Sequence, residues 1–370
     1  MRATRQIHVG TVAVGGGAPV SVQSMTNTDT ADTEATLAQI GRLAAAGCEI
    51  VRVTVPNRHA VEPFREICRS SPLPVIADIH FSAALAVAAI EAGAAGVRVN
   101  PGNLGGVAAL RQVAEAARAA GVPIRVGVNS GSLEKDLLEA YGHPAPAALA
   151  ESARRHCQAL EAMGFSAIKV SIKASDVRTT VEANRQFAAT TDYPLHLGIT
   201  EAGTAAQGII KSAVGIGALL LDGIGDTIRV SLTAPPEEEI RAALRILEAA
   251  GRRQAEPDIV SCPTCGRTAV DLIGLATAVE AAIDRIKAEG GRITLRRIAI
   301  MGCAVNGPGE AREADLGIAG DAQGGVLFRH GQIVRRLSEA ELLPALLDEI
   351  RASTVYDETK PATATRGAVR

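Results

Sequence analysis

Short apolar runs rich in β-branched residues alternate with longer Ala- and Leu-rich stretches of helical period over residues 19–250. The runs are PVSVQSM from Pro19, EIVRVTV from Glu49, PVIADIH from Pro74, AGVRVNP from Ala95, PIRVGVN from Pro123, AIKVSIK from Ala167, PLHLGIT from Pro194 and DTIRVSL from Asp226. Between and after them lie segments such as TEATLAQIGRLAAAG, FSAALAVAAIEAG and PPEEEIRAALRILEAAG, which end in the glycine that commonly stops a helix. Eight repeats of strand then helix predict an α/β fold, a closed parallel (β/α)8 TIM barrel over residues 1–250. An open doubly wound sheet is the rival, but its glycine fingerprint between a first strand and helix is not convincingly placed.

Near Gly251 the rhythm changes. GRRQAEPD is polar and contains proline, so residues 251–258 read as a linker. A cysteine pair follows, then a helix around Val270–Lys287, a strand RRIAIMG, a hairpin GVLFRHGQIVRRL turning at HG, and a helix from Ser338. This is a smaller α+β unit over residues 259–352. The Thr-, Ala- and Pro-rich tail, 353–370, reads as disordered.

Composition narrows the function. The chain has 370 residues, more than the roughly 250–300 at which a single core stops growing, so two domains are expected. Aromatics are 2% with no Trp, which weighs against stacking on single-stranded nucleic acid. A net charge of -2 gives no global basic field for DNA or RNA. No apolar run approaches the about 20 residues of a membrane span, and MRATRQIHVG lacks the apolar stretch of a secretory signal. The expected setting is cytoplasmic, without nucleic-acid or membrane partners, where thiols stay reduced.

Charged and polar residues fall late in the expected strands: Arg52; Asp78 and His80; Arg98 and Asn100; Arg125 and Asn129; Lys169, Ser171 and Lys173; Glu201; Arg229 and Ser231. Many are two apart, which puts them on one face of a strand. In a barrel that face points inward, and the carboxyl rim carries the active site. Arg52, Arg98, Arg125, Lys173 and Arg229 then converge on one mouth, where their repulsion calls for an anion, most simply a diphosphate. Any one of these cations is as readily explained by a surface salt bridge; five at the ends of different strands are not. Glu201 is the best acid/base candidate, and Asp78 is placed to orient His80.

Cys262-x-x-Cys265 with Cys303 suits a thiolate-bound metal, zinc or iron–sulfur. No His lies between Cys262 and Cys303, and His330 sits at the expected hairpin turn. Glu310 is the other nearby ligand; three thiolates plus one replaceable oxygen fit a 4Fe–4S cluster with one iron open to substrate, although spacing alone leaves Glu310 readable as a solvated loop residue. Cys48, Cys68 and Cys157 lie in or beside apolar helical stretches and read as buried filler. A phosphate-binding barrel with a structural zinc domain, and a non-catalytic zinc-ribbon module, are the competing readings. The C-x₃-C-x₂-C spacing of radical chemistry is absent.

VQSMTNT, VRVTVP, ADIHF, RVNPGN, GVNSGSLEKDL, KVSIKASD, LGITEAG, GIGDTIRVSL, CPTC and GCAVNGPGE together resemble the bacterial IspG/GcpE family from about Arg5 to Arg351. One departure is a longer stretch between Cys265 and Cys303, around EGGRITLRR. The resemblance implies a TIM barrel followed by a domain like that of ferredoxin-dependent sulfite and nitrite reductases, binding a 4Fe–4S cluster. It implies reductive opening and dehydration of methylerythritol cyclodiphosphate to 4-hydroxy-3-methylbut-2-enyl diphosphate, with electrons from flavodoxin or ferredoxin. By the same resemblance, Cys262, Cys265, Cys303 and Glu310 are cluster ligands, and Arg52, Arg98, Arg125, Lys173, Arg229 and Ser231 contact diphosphate. Asp78, His80, Asn129 and Glu201 surround the reacting carbons. A homodimer is implied, each cluster domain facing the other subunit's barrel.

Overall fold

The computed structural model describes residues 2–100, 103–253, 257–303 and 312–356, and the chain divides into two compact units, Met1–Arg253 and Gln254–Arg370. The first unit opens with a hairpin, β1 (Ile7–Val9) and β2 (Val12–Val14). Eight parallel strands follow: β3 (Ser21–Met25), β4 (Ile50–Thr54), β5 (Val75–Asp78), β6 (Gly96–Val99), β7 (Ile124–Asn129), β8 (Ile168–Lys173), β9 (His196–Leu197) and β10 (Thr227–Ile228). Their order is β8-β7-β6-β5-β4-β3-β10-β9. A parallel bridge between Val170 and Leu195, with the Val170 N–H donating to the Pro194 carbonyl at 2.9 Å, joins the two ends of that order. The expected TIM barrel is therefore present, with all eight strands inside the expected runs.

Strand periodicity explains the packing. Val51, Val53, Val97, Val99, Ile124, Val126, Ile168, Val170 and Ile172 face outward and share one core with helix residues such as Ile40, Leu43, Phe64 and Ile67. The alternate positions point inward and are largely polar. Helices start where a side chain takes up a free first-turn N–H: Asp32, Ser82 and Asp176 each accept one. The opening hairpin lay outside the sequence-based expectations. Its Ile7, Val9 and Val14 pack with Ile50 and Ile76, near the amino ends of β4 and β5, the end of the barrel away from the rim.

In the second unit, β11 (Asp258–Ser261), β13 (Arg297–Met301), β14 (Leu316–Asp321), β15 (Gly324–Arg329) and β16 (Gln332–Leu337) form one sheet in that order. The first three strands are parallel and the last two antiparallel. Ile298 and Ile300 pack with the helices Leu272–Ala288 and Glu339–Ala352, while the alternate Ala299 and Met301 pack with Ala319, Val326 and Phe328. The hairpin turn falls at His330–Gly331 as expected; both residues have positive φ, 47° and 75°, the primed geometry that matches strand twist. A capping box at Ser338 starts the last helix.

Two boundaries need correction. Asp258, read as linker, is the first residue of β11. The tail does not begin at residue 353: Thr354–Tyr356 forms a strand antiparallel to β12 (Gly291–Ile293), because the β-branched Thr354 and Val355 continue a ladder that Gly291 permits. A side chain at Gly291 would approach Thr354 to 2.8 Å.

Candidate active site

Inward positions that would carry branched aliphatics in an ordinary TIM barrel carry charge here. Asp78, Arg98, Arg125 and Lys169 are neighbours across β5, β6, β7 and β8, one continuous row, each at most 6% exposed. Two glycines make room for the long side chains. A Cβ on Gly127 would stand 2.9 Å from Arg98 Nε, and one on Gly198 would stand 2.6 Å from Lys173 Nζ.

Asp78 is the hub. Its Oδ1 accepts from Arg98 Nη1 at 3.3 Å; its Oδ2 lies 3.3 Å from His80 Nε2 and 3.7 Å from Arg52 Nε. Burial alone would raise the Asp78 pKa; Arg52, the His80 bond, Arg98 and Arg125 outweigh it and hold the carboxyl well below the usual carboxylate range. Arg229 pairs with Glu239 of the helix Pro236–Ala249 at 3.3 Å. Glu239 also accepts from the Leu232 N–H at 2.9 Å and the Ser24 hydroxyl at 3.3 Å. Met25 Sδ accepts from Arg52 Nη2 at 2.9 Å and from Arg229 Nη1 at 3.8 Å.

Carboxylates do not balance the cations. Nε and Nη1 of Arg125 and Nζ of Lys169 have no hydrogen-bond partner among the described residues. Burial, then repulsion from Arg52 and Arg98, lowers the Arg125 pKa well below its ordinary value. Burial, then Arg125 and Arg229, does the same to Lys173. Burial, then Arg125, brings Lys169 down to about 7, and burial, against the attraction of Asp78, brings Arg52 to about 10. Deeper in the barrel His196, bonded to Thr227 Oγ1, is held well below the usual histidine range by burial and then by Lys173. Unpaired buried cations cost several kcal/mol each, and an oxyanion of more than one charge accepting from several of them would offset that cost.

The structure thus brings together seven expected residues: Arg52, Asp78, His80, Arg98, Arg125, Lys173 and Arg229. Asn129 and Ser231 lie half-buried, four and two residues beyond Arg125 and Arg229 toward the rim. Glu201 is exposed in the loop after β9 with φ 53°, a left-handed conformation that costs a non-glycine residue energy and is common at functional sites. Glu239, Met25 and His196 were not singled out from sequence. Glu239 reads as an ordinary first-turn helix acid, and neither a lone Met nor a lone His in a strand signals its partners.

In the second unit the paired strands β11 and β13 carry Cys262 and Cys303 off the same end. The Gly302 N–H donates to Cys262 Sγ at 3.2 Å. Cys265 and Thr268 exchange two bonds, at 3.0 Å each, and the Ala269 N–H reaches the Gly302 carbonyl at 2.9 Å, tying the C-x-x-C turn to the strand before Cys303. Hydrogen bonds from Arg267 hold the exposed Cys265 thiol below its usual range. Three soft sulfur donors, one of them accepting a backbone N–H, are the ligand type an iron–sulfur cluster takes. No group of three metal-ligand side chains is gathered among the described residues, and Glu310 lies outside them. Burial pushes the Cys48 thiol up to about 11 and Cys68 up to about 12, and raises Cys157 as well, as fits packing residues.

A cation-rich carboxyl rim on a TIM barrel, followed in the chain by a thiol-bearing α+β unit, defines a two-domain barrel enzyme acting on a phosphorylated substrate. Residues 4–244 match the GcpE TIM-barrel domain, and residues 258–352 match the GcpE protein C-terminal domain. The chain belongs to the GcpE family. It is 56% identical over 347 residues to the 4-hydroxy-3-methylbut-2-en-1-yl diphosphate synthase (flavodoxin) of Geobacter sulfurreducens, covering 94% of this chain and 97% of that one. It is 53% identical over 350 residues to the protein of the same name from Aquifex aeolicus, covering 95% and 96%. Among the described residues no helix is long and apolar enough to cross a membrane.

Proposed function

We propose that this chain converts 2-C-methyl-D-erythritol 2,4-cyclodiphosphate to 4-hydroxy-3-methylbut-2-enyl diphosphate, in the cytoplasm, on the methylerythritol phosphate route to isoprenoids. The substrate takes up two electrons and two protons and releases one water. The observation that carries this reading is Arg125, buried with two unpartnered guanidinium nitrogens among Arg52, Arg98, Lys173 and Arg229.

Arg52, Arg98, Arg125, Lys173, Arg229 and Ser231 bind the diphosphate, and that binding energy orients the carbon skeleton above them. Asp78 fixes His80 and the two arginines beside it through the bonds described. His80 and Asn129 stand by the reacting carbons, and Glu201 delivers a proton to the departing oxygen. Cys262, Cys265, Cys303 and Glu310 would hold a 4Fe–4S cluster, which supplies the two electrons one at a time. The names of the relatives support flavodoxin over ferredoxin as the donor. The family resemblance supports a homodimer in which one subunit's cluster domain serves its partner's barrel.

The test is anaerobic incubation of iron-loaded protein with the cyclodiphosphate and reduced flavodoxin. The hydroxymethylbutenyl diphosphate should accumulate. Protein that is colourless as isolated anaerobically and carries stoichiometric zinc, or iron-loaded protein that makes no product, overturns the assignment.

A further inference from the structure

We propose that Met25 is a positioning residue of the anion site, a neutral thioether acceptor that aims Arg52 and Arg229 at one ligand without cancelling their charge. The inference rests on reading the rim as a diphosphate site.

Sheet order puts Met25 between the two cations. β3 lies between β4, which carries Arg52, and β10, which leads into Arg229, and Met25 is the direct register partner of Arg52. Its sulfur accepts from both guanidinium groups, at 2.9 and 3.8 Å. Each arginine also faces a carboxylate: Arg52 lies 3.7 Å from Asp78, and Arg229 lies 3.3 Å from Glu239. Among the described residues Met25 is the hydrogen-bond acceptor that both guanidinium groups share.

The chemistry of position 25 is constrained from two sides. A carboxylate there would pair with both arginines and remove the positive charge a diphosphate needs. An aliphatic side chain would leave one partly buried N–H of each arginine without this acceptor, and each guanidinium would be held by its own carboxylate alone. A thioether accepts weakly and carries no charge. It holds the N–H groups in place until phosphate oxygens, which make stronger charge-assisted bonds, take them over.

Met25→Leu keeps the volume and removes the acceptor; Met25→Gln restores a neutral acceptor of similar reach. Cyclodiphosphate binding is measured by calorimetry on the iron-loaded enzyme, alongside KM and kcat. Met25→Leu is expected to weaken binding and raise KM by about five- to tenfold, as for one lost hydrogen-bond acceptor, with kcat within about twofold of wild type. Met25→Gln should recover most of that loss. If Met25→Leu binds as wild type does, or Met25→Gln is as weak as Met25→Leu, the positioning role is wrong while the diphosphate site stands. If wild type does not bind the cyclodiphosphate, both readings fall.

Discussion

Arg98 lies over the bare Cα of Gly127, where an added Cβ would stand 2.9 Å from its Nε and 3.3 Å from its Nη2. The missing side chain at Gly127 leaves the room in which the Arg98 guanidinium lies as it bonds Asp78. Gly127→Ala should therefore swing Arg98 out of the row. The barrel loses about 1–3 kcal/mol from overpacking, and the KM for the cyclodiphosphate rises about tenfold with a smaller effect on kcat. Steady-state kinetics with a thermal unfolding curve would check both, and an unchanged KM would mean that Arg98 does not need this path.

Arg125 is held in the fold against its own electrostatics. Met has similar length and no charge, so Arg125→Met should stabilise the substrate-free barrel by about 1–3 kcal/mol. Denaturant unfolding measures this directly. A destabilised variant would show that Arg125 has a compensating partner in the resting protein.

Lys169 gives a pH signature. Its folded-state pKa is depressed from 10.5 to about 7. Below pH 7 both folded and unfolded chains bind the proton, and the cost of burying the charge is present in full. Between about 7 and 10 the unfolded chain binds a proton that the folded one does not, so this group's contribution to stability improves as pH rises. Lys169→Met should remove that rise and be the more stable protein at pH 7, by on the order of 1–4 kcal/mol. Unfolding of both proteins across pH 6–10, compared pairwise, gives the answer.

Cys303→Ala should abolish visible absorbance and bound iron after anaerobic reconstitution. Cyclodiphosphate binding should survive, because the cation row lies wholly within the unit Met1–Arg253. Loss of iron and of ligand binding together would contradict separate seats for the two.

Much of this was legible in the sequence because the physics is periodic. Arg98/Asn100 and Lys169/Ser171/Lys173 sit two apart on strands, so facing direction follows from spacing. His330-Gly331 encodes its turn by the φ it needs. What stayed hidden depends on distant partners. Glu239 meets Arg229 only because the helix Pro236–Ala249 folds back on the barrel, and Met25 meets Arg52 only through parallel register. The polarity of the barrel interior below the rim, at Ser21, Gln23 and His196, is visible once closure fixes which residues point inward. Strand Thr354–Tyr356 was missed because Thr- and Ala-rich composition reads as tail while its pairing partner lies some sixty residues earlier.

The most direct test of the central claim, that the buried cations surround a diphosphate, is calorimetric titration of the cyclodiphosphate into wild type and Arg125→Met at several salt concentrations. Wild type should bind with an affinity that falls as salt rises, and Arg125→Met should bind at least about a hundredfold more weakly, the loss of a buried charged bond. Equal affinities for the two proteins, or wild-type binding that ignores salt, would contradict it.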